Sequence, residues 1–375
     1  STALALKDNG SYSFSLRARD KSGNWSEPSL ASAEINTKPV VINEVAWAGT
    51  HANSNDEWIE LYNRTKHTID LSNFVFRSGT NKPFISLKNS IAPYAFYLME
   101  RKDDGATDIP ADLIYGNDGP NFSLNNNGED LYLEYVARSA TTTIDYVLTC
   151  GLFGAWCAGN SKRTMERYNP EENVWGTNLS IIQNGRDAIG NSLNGTAKAR
   201  NSLNYLLAST SQIQQDTTLT KQNSPYLIYE TITTPQGKTL TIEPGVVIKM
   251  RGGGTYYLDV QGNLNAAGTE LEPIVFTSFY DDEYGGDLNN DGALTSPHSG
   301  DWMKILISQN SSSTISYAIF RYGGMFFGFC CDGMVRVNSA TSTVINSVFE
   351  YSHSYGLELI SSNSYVSNNV FQNNN

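Results

Sequence analysis

The sequence predicts an all-β protein, and three observations carry that expectation. Short runs alternate apolar and polar residues with period two, as where Ile59 and Leu61 alternate with Glu60 and Tyr62. Gly, Asn and Pro interrupt these runs at turn-like intervals. Toward the C-terminal end, related segments recur around a phenylalanine. The composition agrees: only 17% of the residues are charged, Tyr numbers 21, and Asn, Ser, Thr and Gly are abundant.

With 375 residues the chain is long enough for two or three cores. Asp and Glu number 38 against 26 Lys and Arg. That balance argues against nucleic acid or an anionic membrane as partner, because both recruit basic patches. No run of about 18 apolar residues is present to insert in a bilayer. The sequence starts at Ser1 with neither a basic nor an apolar leader, so any signal peptide is expected to be gone or to lie outside it.

In residues 1–38, Tyr12, Phe14 and Leu16 alternate with Ser13, Ser15 and Arg17, and Lys21-Ser22-Gly23-Asn24 forms a turn before a second short strand. The stretch resembles the C-terminal hairpin of an Ig or fibronectin type III domain. Two strands do not make a stable sandwich alone, so the hairpin is expected to belong to a larger sheet.

Residues 39–180 contain "VVINEVAWAG" (40–49), "NDEWIELYN" (55–63), "DLSNF" (70–74), "GEDLYLEY" (128–135), "IDYV" (144–147) and "SKRTMERYNP" (161–170). In order and spacing they resemble a lamin-tail domain, which implies an Ig-like β-sandwich and a binding or architectural module. Cys150 and Cys157 flank an apolar loop; a disulfide and two buried thiols are both open readings. Cys330-Cys331 are adjacent, and neither pair has the CxxC spacing of a zinc or redox site. Trp47, Trp58, Trp156 and Trp175 are expected to pack in the sandwich, with a sugar platform as the alternative. Glu44, Asp56 and Glu57 form a small acidic group, expected as a solvated loop, with a second cation site as the alternative.

The polar stretch 181–223 reads as a linker and a cap. From 224 to 375 the segments "GKTLTIEPGVVIKM" (237–250), "LDVQGNLNAAGTELEPIVFTS" (258–278), "STISYAIFRYGG" (313–324), "STVINSVFEYS" (342–352) and "SYVSNNVFQNN" (364–374) resemble a right-handed parallel β-helix of the pectate-lyase-like superfamily. Aligned on Phe276, Phe320, Phe349 and Phe371, the spacings are 44, 29 and 22 residues. A coil of 22 makes the first spacing two coils and the second one coil with a bulge at "MFFGFCC". Asn346 and Asn368 are expected to stack in an internal ladder.

"DDEYGGDLNNDG" (281–292) is the densest cluster of oxygen ligands in the chain. Asp287, Asn289 and Asp291 stand at the first, third and fifth positions of a calcium loop, and Gly292 at the sixth permits its sharp turn. Ala293 would add a carbonyl and Thr295 occupies the ninth position, but His298 replaces the bidentate Glu of a full EF-hand. Asp281, Asp282, Glu283 or Asp301 would then complete the set, and the ion expected is a structural Ca2+. The alternative is an ordinary acidic surface loop.

The β-helix resemblance implies a second class of function, since many such proteins are polysaccharide lyases using calcium and an Arg or Lys base. Arg251, Arg321 and Arg336 are isolated, and Arg321 is expected to pair with a nearby acid. Glu350 and Glu358 are the available carboxylates for glycoside hydrolysis, both expected to face solvent. "RGGG" (251–254) lacks the GK[ST] of a phosphate loop, and the four His are scattered. Both ends look open, as in a segment of a larger protein or a subunit closed by its neighbours. The reading that follows is a non-catalytic, modular extracellular or cell-surface protein of a bacterium or archaeon, in an S-layer, filament or adhesin. Its partners would be other copies of itself, other surface proteins or polysaccharide. A polysaccharide lyase or glycoside hydrolase, or a carbohydrate-binding module, is the alternative.

Overall fold

The structure, a computed structural model, describes residues 10–116, 122–137, 140–150, 154–170, 172–207, 212–251, 256–289, 291–324, 326–327, 330–331 and 333–375. Gly252 to Gly254 of the "RGGG" motif lie outside the described residues, as does part of "MFFGFCC". The protein is all-β: among the described residues the helical elements are two 3-10 turns, Ser202–Tyr205 and Lys221–Asn223. None is long and apolar enough to cross a membrane. Two compact units emerge, one of Ser1–Asn178 with Asn184–Asn201, the other of Leu179–Gln183 with Ser202–Asn375. The stretch 181–223 is thus divided between them.

In the first unit, Gly10–Leu16 pairs antiparallel with Ser29–Ile35, with Phe14 opposite Ala31. This ribbon leaves Phe14, Leu16 and Leu30 exposed. The sandwich proper has two sheets. The larger runs Leu113–Ile114, Phe96–Glu100, Trp58–Asn63, Val40–Ala46, Met165–Arg167, Trp175–Thr177, and the smaller Ala140–Val147, Leu131–Ala137, Phe74–Ser78, Phe84–Ser86. Val40, Ile42, Ile59, Leu61, Met99 and Met165 from the first meet Phe74, Phe76, Leu131 and Leu133 from the second. Trp58 is buried, Trp47 stacks on Trp156, and the Arg167 guanidinium lies over Trp175, so packing accounts for all four tryptophans. Cys150 and Cys157 form a disulfide.

Every residue of Val40–Ala46 is buried, which an alternating strand cannot achieve with one covered face. The second face is covered by residues 193–201: Leu193 and Ala197 pack on Ala46, Trp58 and Leu98. That face also carries a row of glutamates. Glu166 pairs with Glu44 and Glu44 with Glu60 across three adjacent strands, and all three are fully buried. Like charges in cross-strand register repel, so the row has to be neutralised or hydrogen-bonded. Glu44 accepts from Thr164 Oγ1 (2.5 Å), the Thr196 amide (2.9 Å) and Thr196 Oγ1 (2.7 Å). Glu166 accepts from Asn178 Nδ2 at 2.6 Å. Glu60 accepts from Asn43 Nδ2 (2.9 Å) and the Lys198 amide (2.5 Å). Burial pushes the Glu60 carboxyl up to about 8, against the opposing hydrogen bonds from Asn43 and Lys198. Burial, then the charges of Glu166 and Glu60, raise Glu44 well above the usual range. A bulge after Ile42 supplies Asn43 to this network. The Ile42 amide donates to Asp145 (2.9 Å), its carbonyl accepts from Arg167 (2.7 Å), and Asp145 and Arg167 meet at 2.5 Å.

The second unit is a parallel β-helix of three sheets. The first stacks Thr217–Leu219, Thr239–Ile242, Asn263–Ala267, Ser312–Ser316, Thr341–Ile345 and Tyr365–Ser367. Tyr226–Ile228, Val247–Met250, Ile274–Ser278, Ala318–Arg321, Val348–Glu350 and Val370–Gln372 make the second. The third contains Ile232–Thr234, Leu258–Val260, Ile305–Ile307, Val335–Asn338 and Leu357–Ile360. Phe276, Phe320, Phe349 and Phe371 stack face to face with centroids 4.9 Å apart at each step. Phe276 pairs directly with Phe320, which corrects the two-coil reading of the 44-residue spacing. It is one coil, because the chain leaves the stack after Ser278 and rejoins it at Ile305, opposite Leu258. Corners are made by left-handed residues: Tyr317, Asn346 and Asn368 at one, Tyr322, Tyr351 and Asn373 at another. The expected asparagine ladder does not form: the residue after this corner is Ser347 on one coil and Asn369 on the next, and these two hydrogen-bond to each other. Asn369 donates to the Val344 carbonyl (2.8 Å) and accepts from the Ser347 amide (2.9 Å).

Two outcomes follow from these cores. Phe320→Ala opens a gap between Phe276 and Phe349 and is expected to lower the unfolding free energy of the second unit by about 3–5 kcal/mol, read by denaturant titration. Folding raises the Glu44 and Glu60 carboxyls, so the folded state holds their protons more tightly. Their contribution is complete below about 4.5 and is lost as pH climbs through about 8 for Glu60. Amide exchange in Trp58–Asn63, corrected for intrinsic rate, should report a loss of up to about 1.4 kcal/mol per pH unit for each titrating glutamate. Protection that stays flat or grows between pH 5 and 9 (roughly this window) would refute the assignment.

Candidate metal centre

Strand alternation sends Ile248, Met250, Phe276 and Phe320 into the β-helix and their neighbours outward. In register, Leu227, Lys249 and Thr277 form an outward column, which Arg321, Glu350 and Gln372 continue on later coils of the same sheet. The excursion that follows Ser278 covers this face. Leu288 anchors it, buried with Ile182, Leu227 and Phe279.

The acidic residues of the excursion separate into two groups. Asp281 accepts a hydrogen bond from Thr277 and lies 3.6 Å from Arg321 Nε. Glu283 meets Arg321 Nη1 at 2.7 Å, and Glu350 lies 3.3 Å from its Nε. Arg321 is thus paired with nearby acids, as the sequence suggests, and its guanidinium also lies over Tyr284, Tyr322 and Tyr351. Burial opposes its charge, but the Glu283 hydrogen bond and the charge of Asp281 hold its pKa above the ordinary value. Asp301 accepts from Ser278 Oγ (2.5 Å) and the His298 amide (2.9 Å), and burial raises its pKa. Neither Glu350 nor Glu358 is a free solvated acid, since Glu358 lies 3.5 Å from Arg336 Nε.

The second group is the candidate centre. Carboxylate oxygens of Asp282, Asp287 and Asp291 lie within 4.8 Å of one another. Asp287 accepts from the Gly292 amide at 2.8 Å, and Gly292 takes the left-handed conformation (φ 78°) required of the sixth loop position. Asp291 accepts from Asn289 Nδ2 (2.7 Å) and Thr295 Oγ1 (2.5 Å). Asn289 Oδ1 is buried with no hydrogen-bond partner among the described residues. Ala293 is exposed in the turn after Gly292, and Asn290 lies outside the described residues. Burial, then the charge of Asp287, raises the Asp282 pKa. Three converging carboxylates and one orphaned amide oxygen are hard donors of the kind a calcium ion takes. Asp282 is the carboxylate that joins Asp287 and Asp291, while Asp281 and Asp301 take hydrogen bonds elsewhere.

Lys249 is the participant that sequence reasoning missed. Its side chain is fully buried beneath the loop, and Nζ donates to the Gly286 carbonyl. Burial lowers its pKa, offset by the charges of Asp282, Asp281 and Asp287. The available signal was one lysine at an outward position in the apolar "VVIKM". In the sandwich, Glu44, Asp56 and Glu57 do not form one solvated loop. Glu44 lies in the buried row, Asp56 accepts from Thr50 (3.3 Å), and Glu57 pairs with Arg101 at 3.1 Å.

Residues 33–147 match the family model described as Lamin Tail Domain, and residues 211–324 match that of the Pectate-lyase like beta helix domain. No curated protein and no solved structure matches the chain. With the antiparallel sandwich and the parallel stack in the same order as the two matches, the chain carries a lamin tail domain followed by a pectate-lyase-like β-helix domain.

Proposed function

We propose that this chain is a non-catalytic structural or adhesive module of an extracellular or cell-surface assembly, with a calcium ion stapling its β-helix. The observation that carries the reading is the use made of the ionic groups on the outward column. Arg321 is enclosed by three acids and three tyrosines, and Lys249 is buried against a backbone carbonyl, so both cations hold the loop down. The loop bearing Asp282, Asp287 and Asp291 is thereby fixed at a point where one coil is interrupted. The Cys150–Cys157 disulfide supports an oxidising compartment. Other copies of the chain, other surface proteins and neutral polysaccharide are the partners that suit its acidity.

One observation favours the polysaccharide-active alternative: Lys249, Arg321 and Glu350 do face outward from one sheet, with Asp281 of the excursion beside Arg321. Both bases are almost wholly shielded from solvent, which weighs against a proton-abstracting role. Incubation with pectate and with neutral glycans decides between the two, since release of unsaturated or reducing ends would overturn the non-catalytic reading. Calcium at about 100 times its dissociation constant should raise the melting temperature of the β-helix unit by about 5–10 °C. A chelator should reverse the rise, and Asp287→Asn with Asp291→Asn should abolish it. A wild-type transition indifferent to calcium would remove the staple.

A further inference from the structure

We infer that Lys249 is the positioning residue of the cation site: its ammonium preforms the loop for a divalent ion although its charge, taken alone, would repel one. The inference rests on the calcium reading above. Between Asp282 and Asp287 the chain reverses through Gly285 and Gly286, both left-handed with φ of 79° and 74°. A Cβ on Gly285 would meet Pro225 Cβ at 3.0 Å and Lys249 Cε at 3.2 Å, so the reversal rests on the lysine stem. Lys249 Nζ then donates to the carbonyl of Gly286, the residue just before Asp287. Lys249 itself has no freedom to follow the loop, because its strand is paired on both sides, with Leu227 and with Thr277. A rigid sheet therefore fixes the midpoint of the segment that joins two ligands. Without that tether, two consecutive glycines would sample many conformations, and closing three like charges around an ion would cost the ordering of the whole segment.

The same lysine sits within electrostatic reach of Asp282, Asp281 and Asp287. Its charge permits the carboxylates to gather before an ion arrives and weakens the ion's attraction once it is there. Tethering and repulsion predict opposite signs for removal of the ammonium, which makes the inference decidable. Positioning groups behind a metal's own ligands typically contribute 10–100-fold in affinity.

The test is calorimetric titration of the full chain with calcium chloride, with amide exchange of Gly292 and Leu294 in chelator as a second readout. Those amides are held by Asp287 and Asp291 and so report the preformed loop. Lys249→Met keeps the apolar stem and should weaken calcium binding about tenfold or more, while the loop amides exchange faster and the strands Val247–Met250 and Ile274–Ser278 keep their protection. Gly286→Ala perturbs the reversal alone, since nothing lies within 4 Å of its Cβ, and should weaken binding in the same direction. Should Lys249→Met lose strand protection, the Gly286→Ala result decides. Unchanged or tighter binding in the folded variants, with loop amides as protected as in wild type, overturns the inference and leaves the calcium site standing. A wild-type chain that binds no calcium fails the calcium reading itself, and the positioning role with it.

Discussion

A charge removed from water must be met by an opposite charge or by several hydrogen bonds, and this requirement organises both units. The cost of leaving one unmet is several kcal/mol per ion. Arg167 and Asp145 illustrate the geometric consequence: they meet each other and also satisfy the Ile42 amide and carbonyl at the bulge. The bulge in turn presents Asn43 to Glu60. In the β-helix, Arg321 and Lys249 stand on a sheet that would otherwise face solvent, and the excursion buries them by supplying acids.

The parallel stack makes that arrangement affordable in chain entropy. Each coil reuses the register of the one below, as the Phe276, Phe320, Phe349 and Phe371 ladder records. A coil can therefore open between Ser278 and Ile305 without disturbing its neighbours, since Ile305 regains the position opposite Leu258. Closure of a longer loop costs little more than closure of a short one. A long insertion at that corner is cheap for the fold, and its sequence is free to carry ligands.

Much of this was legible in the sequence. Alternation located Ile59 and Leu61 on an inner face, and the phenylalanine repeat located four coils. The turn from Asp287 to Gly292 was recognisable because its geometry is local. What escaped was non-local. The 44-residue spacing was read as two coils because a solenoid period carries no mark that distinguishes an empty coil from an excursion. Asn346 and Asn368 were read as a ladder because the sequence does not mark them as left-handed corners. Glu44, Glu60 and Glu166 look like ordinary solvent-facing positions of amphipathic strands. Only the return of residues 193–201 over that face turns them into a buried row. Lys249 escaped for the same reason, since its cover lies 37 residues away at Gly286.

The two units meet the same requirement by different chemistry, and their sensitivities to solution conditions differ accordingly. Neutral donors, namely Thr164, Thr196, Asn43 and Asn178, satisfy the glutamate row, and burial holds the Glu44 and Glu60 carboxyls toward the protonated form. Its enemy is alkali, because each proton released leaves a like charge beside a like charge. The loop over the β-helix is instead balanced by Lys249 and Arg321, yet Asp282, Asp287 and Asp291 still converge with fewer cations than anions. On the calcium proposal, a bound divalent ion would remove the imbalance directly, so the β-helix should answer to metal where the sandwich answers to pH.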